Sequence, residues 1–369
     1  MDRKKFISQL AIGGLAGITA LRACATDGEK QIKKLNKHEK TIHWRMVTTW
    51  PPKFPYLGQA CDLFAEWVNV MSGGRLQIQV FGSGELIPGL ECFDAVSSGT
   101  VEVGSGAAYY WAGKAPATQF FGTVPFGMNA QQVNAWLYGG GGMELWQELY
   151  HQFDLEPFAG GNTGTQMGGW YNKKIESLKD IQGLKMRIPG LGGKVLGKLG
   201  GTVVLSSGSE IYTNLERGVI DATEWIGPFH DFLMGFHQIA KYYYYPGWHE
   251  PGTVLELFVN KTKFDGLPSD LQQVVRVAAM AVNNWTLSNI EAKNPEYLAR
   301  IKQESEVEIL PLPDEVIDGF RKATQEVIDE IIENDPFSRK VWASYESFKQ
   351  RANAWAEISE KSYYDKISS

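Results

Sequence analysis

The chain has 369 residues, a net charge of −6 and a hydrophobic content of 43%, values typical of a globular protein with two lobes or domains. The acidic balance, without a long basic run, argues against nucleic acid as a partner. Beyond residue 41, no apolar run approaches the length needed to span a membrane.

The N-terminal residues 1–23 have the pattern of an export signal. A basic head at 3–5 precedes an apolar stretch at 6–21 that is too short to span a membrane comfortably. Cys24 completes a Leu-x-Ala-Cys sequence similar to a bacterial lipoprotein cleavage box, so it is a candidate for lipid attachment. The alternatives are an ordinary cleavage nearby or an uncut anchor. Residues 24–41 are predicted to form a lysine-rich tether, and removal of residues 1–23, with their four basic residues and one acid, leaves a net charge of −9.

The hydrophobic pattern that follows predicts alternating strands and helices. The predicted elements are a strand at 42–48, a helix at 57–71, a strand at 76–80, a helix at 89–98 and a strand at 101–103. This order implies a parallel sheet with right-handed crossovers. A helical stretch at 129–153, with a glycine-rich break at 139–142, follows; the break is expected to be a helix–helix turn rather than a phosphate loop.

The second half of the chain repeats this alternation. A glycine-rich extended segment at 157–171 leads to a strand at 185–190, a helix at 193–199, a strand at 202–204, a helix at 210–216 and a β-branched strand after Gly218. A further strand is predicted at 254–260, and the chain is almost all helical from residue 268 onward. Two similar α/β lobes facing one cleft are therefore expected.

Cys61 and Cys92 each lie in a predicted helix. They could pair in an oxidising compartment, but two buried free thiols are the favoured interpretation.

Several polar residues lie where predicted strands end, which is where an α/β sheet binds ligands. Arg187 offers a planar fork that matches a carboxylate, although an ion pair between lobes is the alternative. Glu224 and Glu250, together with Gln166 and a backbone carbonyl, can form an oxygen cage for a hard cation such as sodium or calcium. No histidine pair or serine elbow has the spacing of a known catalytic motif, so an enzyme is not expected.

Three segments carry a family resemblance. Gln-Met-Gly-Gly-Trp within 161–170, Arg-Ile-Pro-Gly within 183–190 and Glu-Arg-Gly-Val-Ile-Asp-Ala-Thr-Glu-Trp within 215–225 resemble the extracytoplasmic solute receptors of TRAP (tripartite ATP-independent periplasmic) transporters. Within that family the chain is most similar to the subgroup that binds 2-oxo acids and related monocarboxylates with a metal ion. The resemblance covers nearly all of the chain after the signal. It implies an α/β fold of the two-lobed periplasmic binding protein kind, type II-like, with hinge strands and long C-terminal helices.

The resemblance also implies roles for individual residues. Arg187 would bind the substrate carboxylate, with Asn162 and Tyr109 as further candidates and their neighbours Thr163 and Tyr110 as alternatives. The cation, sodium or calcium, would be held by the side chains of Gln166, Glu224 and Glu250 and the main-chain carbonyl of Trp225. Of these residues, Gln166 and Trp225 would also contact the substrate.

The function implied is capture of a small carboxylic acid, such as pyruvate or lactate, by lobe closure, followed by delivery to a sodium-driven membrane permease. The protein would be periplasmic, with lobe I at 42–162 and about 253–305, and lobe II at 163–252 and about 306–369. A homodimer through the final helices is also implied. The alternatives are a solute-sensing protein that serves a signalling receptor, or a metal-assisted hydrolase acting at Glu224 and Glu250.

Overall fold

The computed structural model describes residues 41–206 and 208–367. The predicted signal, Cys24 and nearly all of the predicted tether lie outside the described residues. The strands within them are β1 (Ile42–Thr48), β2 (Leu76–Phe81), β3 (Val103–Ala107), β4 (Leu155–Asn162), β5 (Gly169–Tyr171), β6 (Lys185–Arg187), β7 (Thr202–Val204), β8 (Ala222–Thr223), β9 (Tyr242–Tyr245), β10 (Val254–Asn260) and β11 (Glu308–Pro311).

The helices follow the predicted order closely. They are α1 (Leu57–Met71), α2 (Cys92–Ser97), α3 (Gln119–Gly122), α4 (Ala130–Gly139), α5 (Gly142–Tyr150), α6 (Gly190–Lys198), α7 (Gly208–Glu216), α8 (Pro228–Leu233), α9 (Lys261–Asp265), α10 (Ser269–Glu304), α11 (Asp314–Asn334), α12 (Pro336–Ile358) and α13 (Glu360–Lys366). None of these helices is both long and apolar enough to cross a membrane.

Two sheets share one pattern of strand pairing. The first has the order β2-β1-β3-β10-β4, in which β1 pairs in parallel with β2 and β3, and β10 is antiparallel to both of its neighbours. The second has the order β11-β9-β5-β8-β6-β7, in which β6 pairs in parallel with β7 and β8, and β5 is antiparallel to both of its neighbours. In each sheet the antiparallel strand arrives from the other sheet, so the predicted two-lobed α/β fold is confirmed.

The chain crosses between the sheets at 163–168 and again at 246–253. The two crossing segments are bonded to each other: Thr163 N donates to Thr253 O at 3.0 Å, and Gln166 N donates to Glu250 O at 3.2 Å. A Cβ atom at Gly247 would lie 2.2 Å from Gln166 O, so only glycine permits this approach. The pairing brings two predicted site residues, Gln166 and Glu250, to the same point between the sheets.

Two strands differ from their predicted positions. The third strand, predicted at 101–103, begins at Val103 and continues through small residues to Ala107. Small residues are required there because a Cβ atom at Gly104 would lie 2.3 Å from the Phe258 ring on β10. The β-branched pair after Gly218 is likewise not a strand, since β8 covers only Ala222–Thr223.

Cys61 and Cys92 are free and buried, as predicted. Cys61 lies on the buried stripe of α1, and burial raises the pKa of both thiols to about 12. Neither thiol is therefore reactive at neutral pH.

The C-terminal helices pack on elements of both sheets. The long helix α10 packs against α1, β4 and α8. Helix α11 packs against α6, whereas α12 packs against α3, α4 and α5, with Ser344 accepting a hydrogen bond from Trp136 Nε1 at 3.1 Å. The helices therefore connect the lobes, and the predicted lobe boundaries stay a prediction.

Candidate functional site

The site is built around a buried ion pair between Arg187 and Glu224. Strands β6 and β8 are parallel neighbours with Arg187 opposite Thr223, so Glu224 leaves its strand beside the end of β6. The Arg187 Nη1 atom donates to Glu224 Oε1, and the two side chains are only 2% and 1% exposed. Burial lowers the pKa of Arg187, but the charge of Glu224 and the neighbouring tyrosines outweigh it and raise the pKa overall.

Residues from both sheets enclose a small cavity over this pair. Its volume is only about 20 Å³, little more than the roughly 10–15 Å³ that one water molecule requires. Tyr109 and Tyr110, from the turn after β3, face Arg187 and Trp225, and the Trp225 ring lies 5.3 Å from the guanidinium carbon. The remaining lining residues are Trp50, Leu57, Thr163, Gln166, Glu224, Ile226 and Leu255.

A wider cavity adjoins the first one. Its volume is about 340 Å³, and it shares Trp50, Tyr110 and Trp225 with the inner cavity. The two cavities therefore meet at these three side chains.

The loop between β1 and α1 makes contacts across the cleft. The Phe54 ring meets the Trp225 ring edge-on at 6.0 Å, and Tyr56 meets Phe229 at 4.8 Å. These aromatic contacts join the loop after β1 to the segment that follows β8.

The crossing segments supply a second polar cluster. Gln166 Nε2 donates to Glu250 Oε2 at 2.7 Å and to Thr163 Oγ1 at 3.1 Å, and the Thr253 hydroxyl donates to the same Glu250 carboxylate. Gln166 Oε1 is buried without a hydrogen-bond partner in the described part of the chain. A buried acceptor without a donor is costly, so this oxygen is available for a ligand.

Three of the buried residues can hold a metal ion. Glu224, His249 and Glu250 each offer a ligand atom, and these atoms lie within 4.8 Å of one another. His249 Nε2 is 3.5 Å from Glu224 Oε2. Burial, and then the charge of Glu224, raise the pKa of Glu250 to about 7. A cation placed here would offset the repulsion between the two carboxylates.

Most of the predicted site residues are brought together by the fold. Five of them line the inner cavity: Arg187, Gln166, Glu224, Trp225 and Tyr109. Glu250 is not a lining residue, but it accepts a hydrogen bond from Gln166, which is one.

Asn162 is placed differently from these residues. It is buried at the end of β4, where its Oδ1 accepts from Gly164 N at 2.9 Å, and it is not among the cavity-lining residues. Its neighbour Thr163 lines the cavity, as does Tyr110 beside Tyr109.

Sequence reasoning did not single out His249, nor the cavity-lining residues Trp50, Leu57, Ile226 and Leu255. His249 precedes Glu250 in a Trp-His-Glu-Pro-Gly turn, and this adjacency was the one available signal. Trp50 and Leu57 line the cavity from the loop after β1 and from the start of α1. Nothing local distinguishes them from core residues, because their contribution depends on how the lobes meet.

The fold and the site together define a two-lobed solute-binding protein. Residues 46–335 match the family described as bacterial extracellular solute-binding protein, family 7. The chain belongs to this family, and its recognition as a TRAP solute receptor is confirmed. It is 39% identical, over the full length of both chains, to the monocarboxylate 2-oxoacid-binding periplasmic protein of Nostoc sp..

Two solved structures are closely similar. A TRAP periplasmic solute-binding protein from Colwellia psychrerythraea, with bound calcium and pyruvate, is 43% identical with a TM-score of 0.87. One from Pseudoalteromonas atlantica, with bound sodium and pyruvate, is 42% identical with a TM-score of 0.87. Each match covers 89% of this chain and 100% of the other.

The first prediction concerns the buried Glu250. Because its pKa rises from 4.5 to about 7 on folding, the folded protein holds a proton that the unfolded chain has lost between these pH values. This group therefore lowers the free energy of unfolding as pH rises from 4.5 to 7. We measure this by urea unfolding of chelator-treated protein. Between pH 4.5 and 7 the free energy of unfolding should fall less for Glu250→Gln than for the wild type, by at most about 3 kcal/mol.

Asp231 and Glu256, whose pKa values burial also raises to about 7, titrate in both proteins and leave a residual decline. Parallel pH profiles for the wild type and Glu250→Gln would contradict the prediction.

Proposed function

We propose that this receptor captures a small monocarboxylic acid, a 2-oxo acid such as pyruvate or a lactate-like hydroxy acid, together with a sodium or calcium ion. The observation that carries the proposal is the buried set of Arg187, Glu224, Gln166 and Glu250 around one small cavity. The pyruvate and the calcium or sodium bound by the Colwellia and Pseudoalteromonas proteins support it.

The cation is held by oxygen atoms. Gln166 Oε1, the carboxylates of Glu224 and Glu250 and the main-chain carbonyl of Trp225 are the proposed ligands. Carboxylate and amide oxygens are the donors that hard cations prefer. The unpartnered, buried Gln166 Oε1 supports this assignment.

The acid is held by Arg187. Its guanidinium pairs with Glu224. When a cation takes Glu224 as a ligand, the guanidinium is released to form paired hydrogen bonds with the substrate carboxylate. Every buried charge then keeps a partner, which a buried charge requires.

The other substrate contacts come from the opposite lobe. Tyr109 lines the cavity beside Tyr110, and we assign it to the carboxylate. Asn162 is a further candidate through its buried, unpartnered Nδ2. A ligand that touches Arg187 in one lobe and Tyr109 in the other stabilises the closed form.

The captured acid is delivered to the integral membrane permease of a TRAP transporter, which in this family is driven by a sodium gradient. Family membership supports this role. Binding without turnover is proposed, because the cavity residues are arranged to hold a carboxylate and a cation.

We further propose export to the periplasm through residues 1–23, with Cys24 as the lipid-attachment residue. The proposed lobes are 42–162 with about 253–305, and 163–252 with about 306–369. The strand order supports these boundaries, because the chain passes from one sheet to the other at 163–168, at 246–253 and again between β10 and β11.

A homodimer through the C-terminal helices is proposed as well. Large apolar side chains at the end of α12 and on α13 are 66–72% exposed, which is unusual for a monomer surface. They are Trp355, Ile358, Tyr364 and Ile367.

The Arg187→Lys variant tests the carboxylate assignment. Lysine keeps the buried positive charge beside Glu224 but loses the planar fork, so we expect the dissociation constant for pyruvate in calcium to rise about 10- to 100-fold. Isothermal titration calorimetry measures this change. Arg276→Lys is the control, because Arg276 pairs with Glu156 away from the cavity. Unchanged pyruvate affinity in Arg187→Lys would refute the role.

The Gln166→Leu variant tests the cation cage. Loss of one oxygen ligand should raise the dissociation constant for calcium about tenfold or more, and chelation should weaken pyruvate binding by the wild type. Calcium titration followed by pyruvate titration measures both effects. Gln119→Leu is a matched control, because Gln119 is also buried with an unpartnered Oε1 but does not line the cavity. A pyruvate affinity that does not depend on calcium or sodium would contradict the proposed cation site.

The Trp355→Glu and Tyr364→Glu double variant tests the dimer. Charges on the exposed patch should shift the sedimentation coefficient from that of a dimer to that of a monomer. Val70→Glu, on a residue that is 67% exposed at the end of α1, should leave the dimer intact. A monomeric wild type would exclude the dimer.

A further inference from the structure

Asp231 anchors the backbone that follows Glu224 and Trp225. It lies in the short helix α8, and its side chain is 1% exposed. Its Oδ1 atom accepts hydrogen bonds from Ile226 N at 3.0 Å and Gly227 N at 3.1 Å. The carboxylate thus holds the two peptide groups directly after the proposed cation ligands.

The second oxygen of Asp231 is anchored to the sheet. Oδ2 accepts from Trp170 Nε1 and from the Tyr243 hydroxyl, each at 2.8 Å. Trp170 and Tyr243 lie on β5 and β9 and stack with ring centroids 3.9 Å apart. The carboxylate therefore links the loop 224–227 to a rigid aromatic pair.

The same loop is bonded from its other side to the first crossing segment. Met167 N donates to Ile226 O at 3.0 Å, and Met167 follows Gln166. The amide of Ile226 is held by Asp231, and its carbonyl is held next to Gln166. The distance between the Gln166 and Glu224 parts of the cage thus depends on how this loop is held.

We propose that Asp231 is a positioning residue for the cation site. Its carboxylate sets the direction of the 224–227 backbone and so aims the Glu224 side chain and the Trp225 carbonyl at one point. The inference rests on the proposed function, because it concerns the same cation.

A helix cap alone does not account for this arrangement. A capping side chain needs only one oxygen to reach back to the N-cap N–H, whereas both oxygens of Asp231 are engaged, Oδ1 with two peptide groups and Oδ2 with two side chains from the sheet. Burial raises the pKa of Asp231 to about 7 even though its donors favour the charged form. A buried carboxylate is thus a costly way to hold a helix end, and its effect is to hold the loop in one direction.

The Asp231→Asn variant removes half of these hydrogen bonds and leaves the shape of the side chain almost unchanged. An asparagine oxygen can accept from one pair of donors, but its NH2 group then faces the donors of the other pair. The loop must move away from either the sheet or the helix, and the cage must open with it.

Glu256 provides a matched control in the first sheet. It is fully buried, it also accepts from a tryptophan and a tyrosine, Trp111 Nε1 and the Tyr150 hydroxyl, and burial raises its pKa to about 7. Within the described part of the chain its two hydrogen-bond partners are both side chains, so it does not hold a backbone segment that carries a proposed ligand. Glu256→Gln should therefore destabilise the fold without moving the cage.

Calcium titration, pyruvate titration at saturating calcium and thermal unfolding of the full chain test the inference. Both variants should unfold at lower temperature, but only Asp231→Asn should raise the dissociation constant for calcium, by about tenfold or more. Its affinity for pyruvate at saturating calcium should change much less, since Arg187 is untouched. Tyr243→Phe, which removes one donor to Asp231, should weaken calcium binding by a smaller factor and serves if Asp231→Asn does not fold.

Calcium affinity within twofold of the wild type in Tyr243→Phe and Asp231→Asn would overturn the inference, as would an equal loss in Glu256→Gln. A wild type whose pyruvate binding is indifferent to the cation would overturn the proposed function, and the inference with it. The two failures are therefore distinguishable.

Discussion

The enclosure of opposite charges between the two sheets is the constraint on which the site depends. Arg187 and Glu224 are almost fully buried, and neither can remain charged there without a partner. The parallel pairing of β6 with β8 places the two residues side by side. The crossing segments then add Gln166 and Glu250, so that one small volume contains two acids, one base and an unsatisfied amide oxygen.

An exchange of partners makes such a buried ion pair useful for binding. The attraction within a buried pair roughly balances its loss of hydration, so separating Arg187 from Glu224 costs little when each gains a new partner at once. A cation and a carboxylate arriving together provide those partners. Either one alone leaves a buried charge uncompensated, and this accounts for the joint selection of a cation and a small acid in the proposed function.

Much of this could be predicted from local patterns, and the rest depends on distant contacts. Arg187 and Glu224 lie at the ends of short strands beside Pro-Gly and Gly-Pro turns, so the sequence pattern was sufficient to predict their place in a cleft. The position of β3 could not be predicted in this way, because Gly104 is in a strand only because the Phe258 ring packs against it. Asp231 reads locally as an acid in the first turn of a helix. Its partner Trp170 lies 61 positions earlier in the chain, and no local pattern reveals that contact.

The repetition of the two sheets makes their differences informative. Each sheet has a buried carboxylate bonded to a tryptophan and a tyrosine: Glu256 lies on β10 of the first sheet, and Asp231 on helix α8 bonds to β5 and β9 of the second. Only Asp231 also holds the loop with the proposed cation ligands. All four of those ligands lie in the second sheet's loop or in the crossing segments, whereas the first sheet contributes aromatic walls. In the proposed mechanism the cage is therefore complete before closure, the cation and the acid bind to it first, and Tyr109 and Tyr110 then close over them.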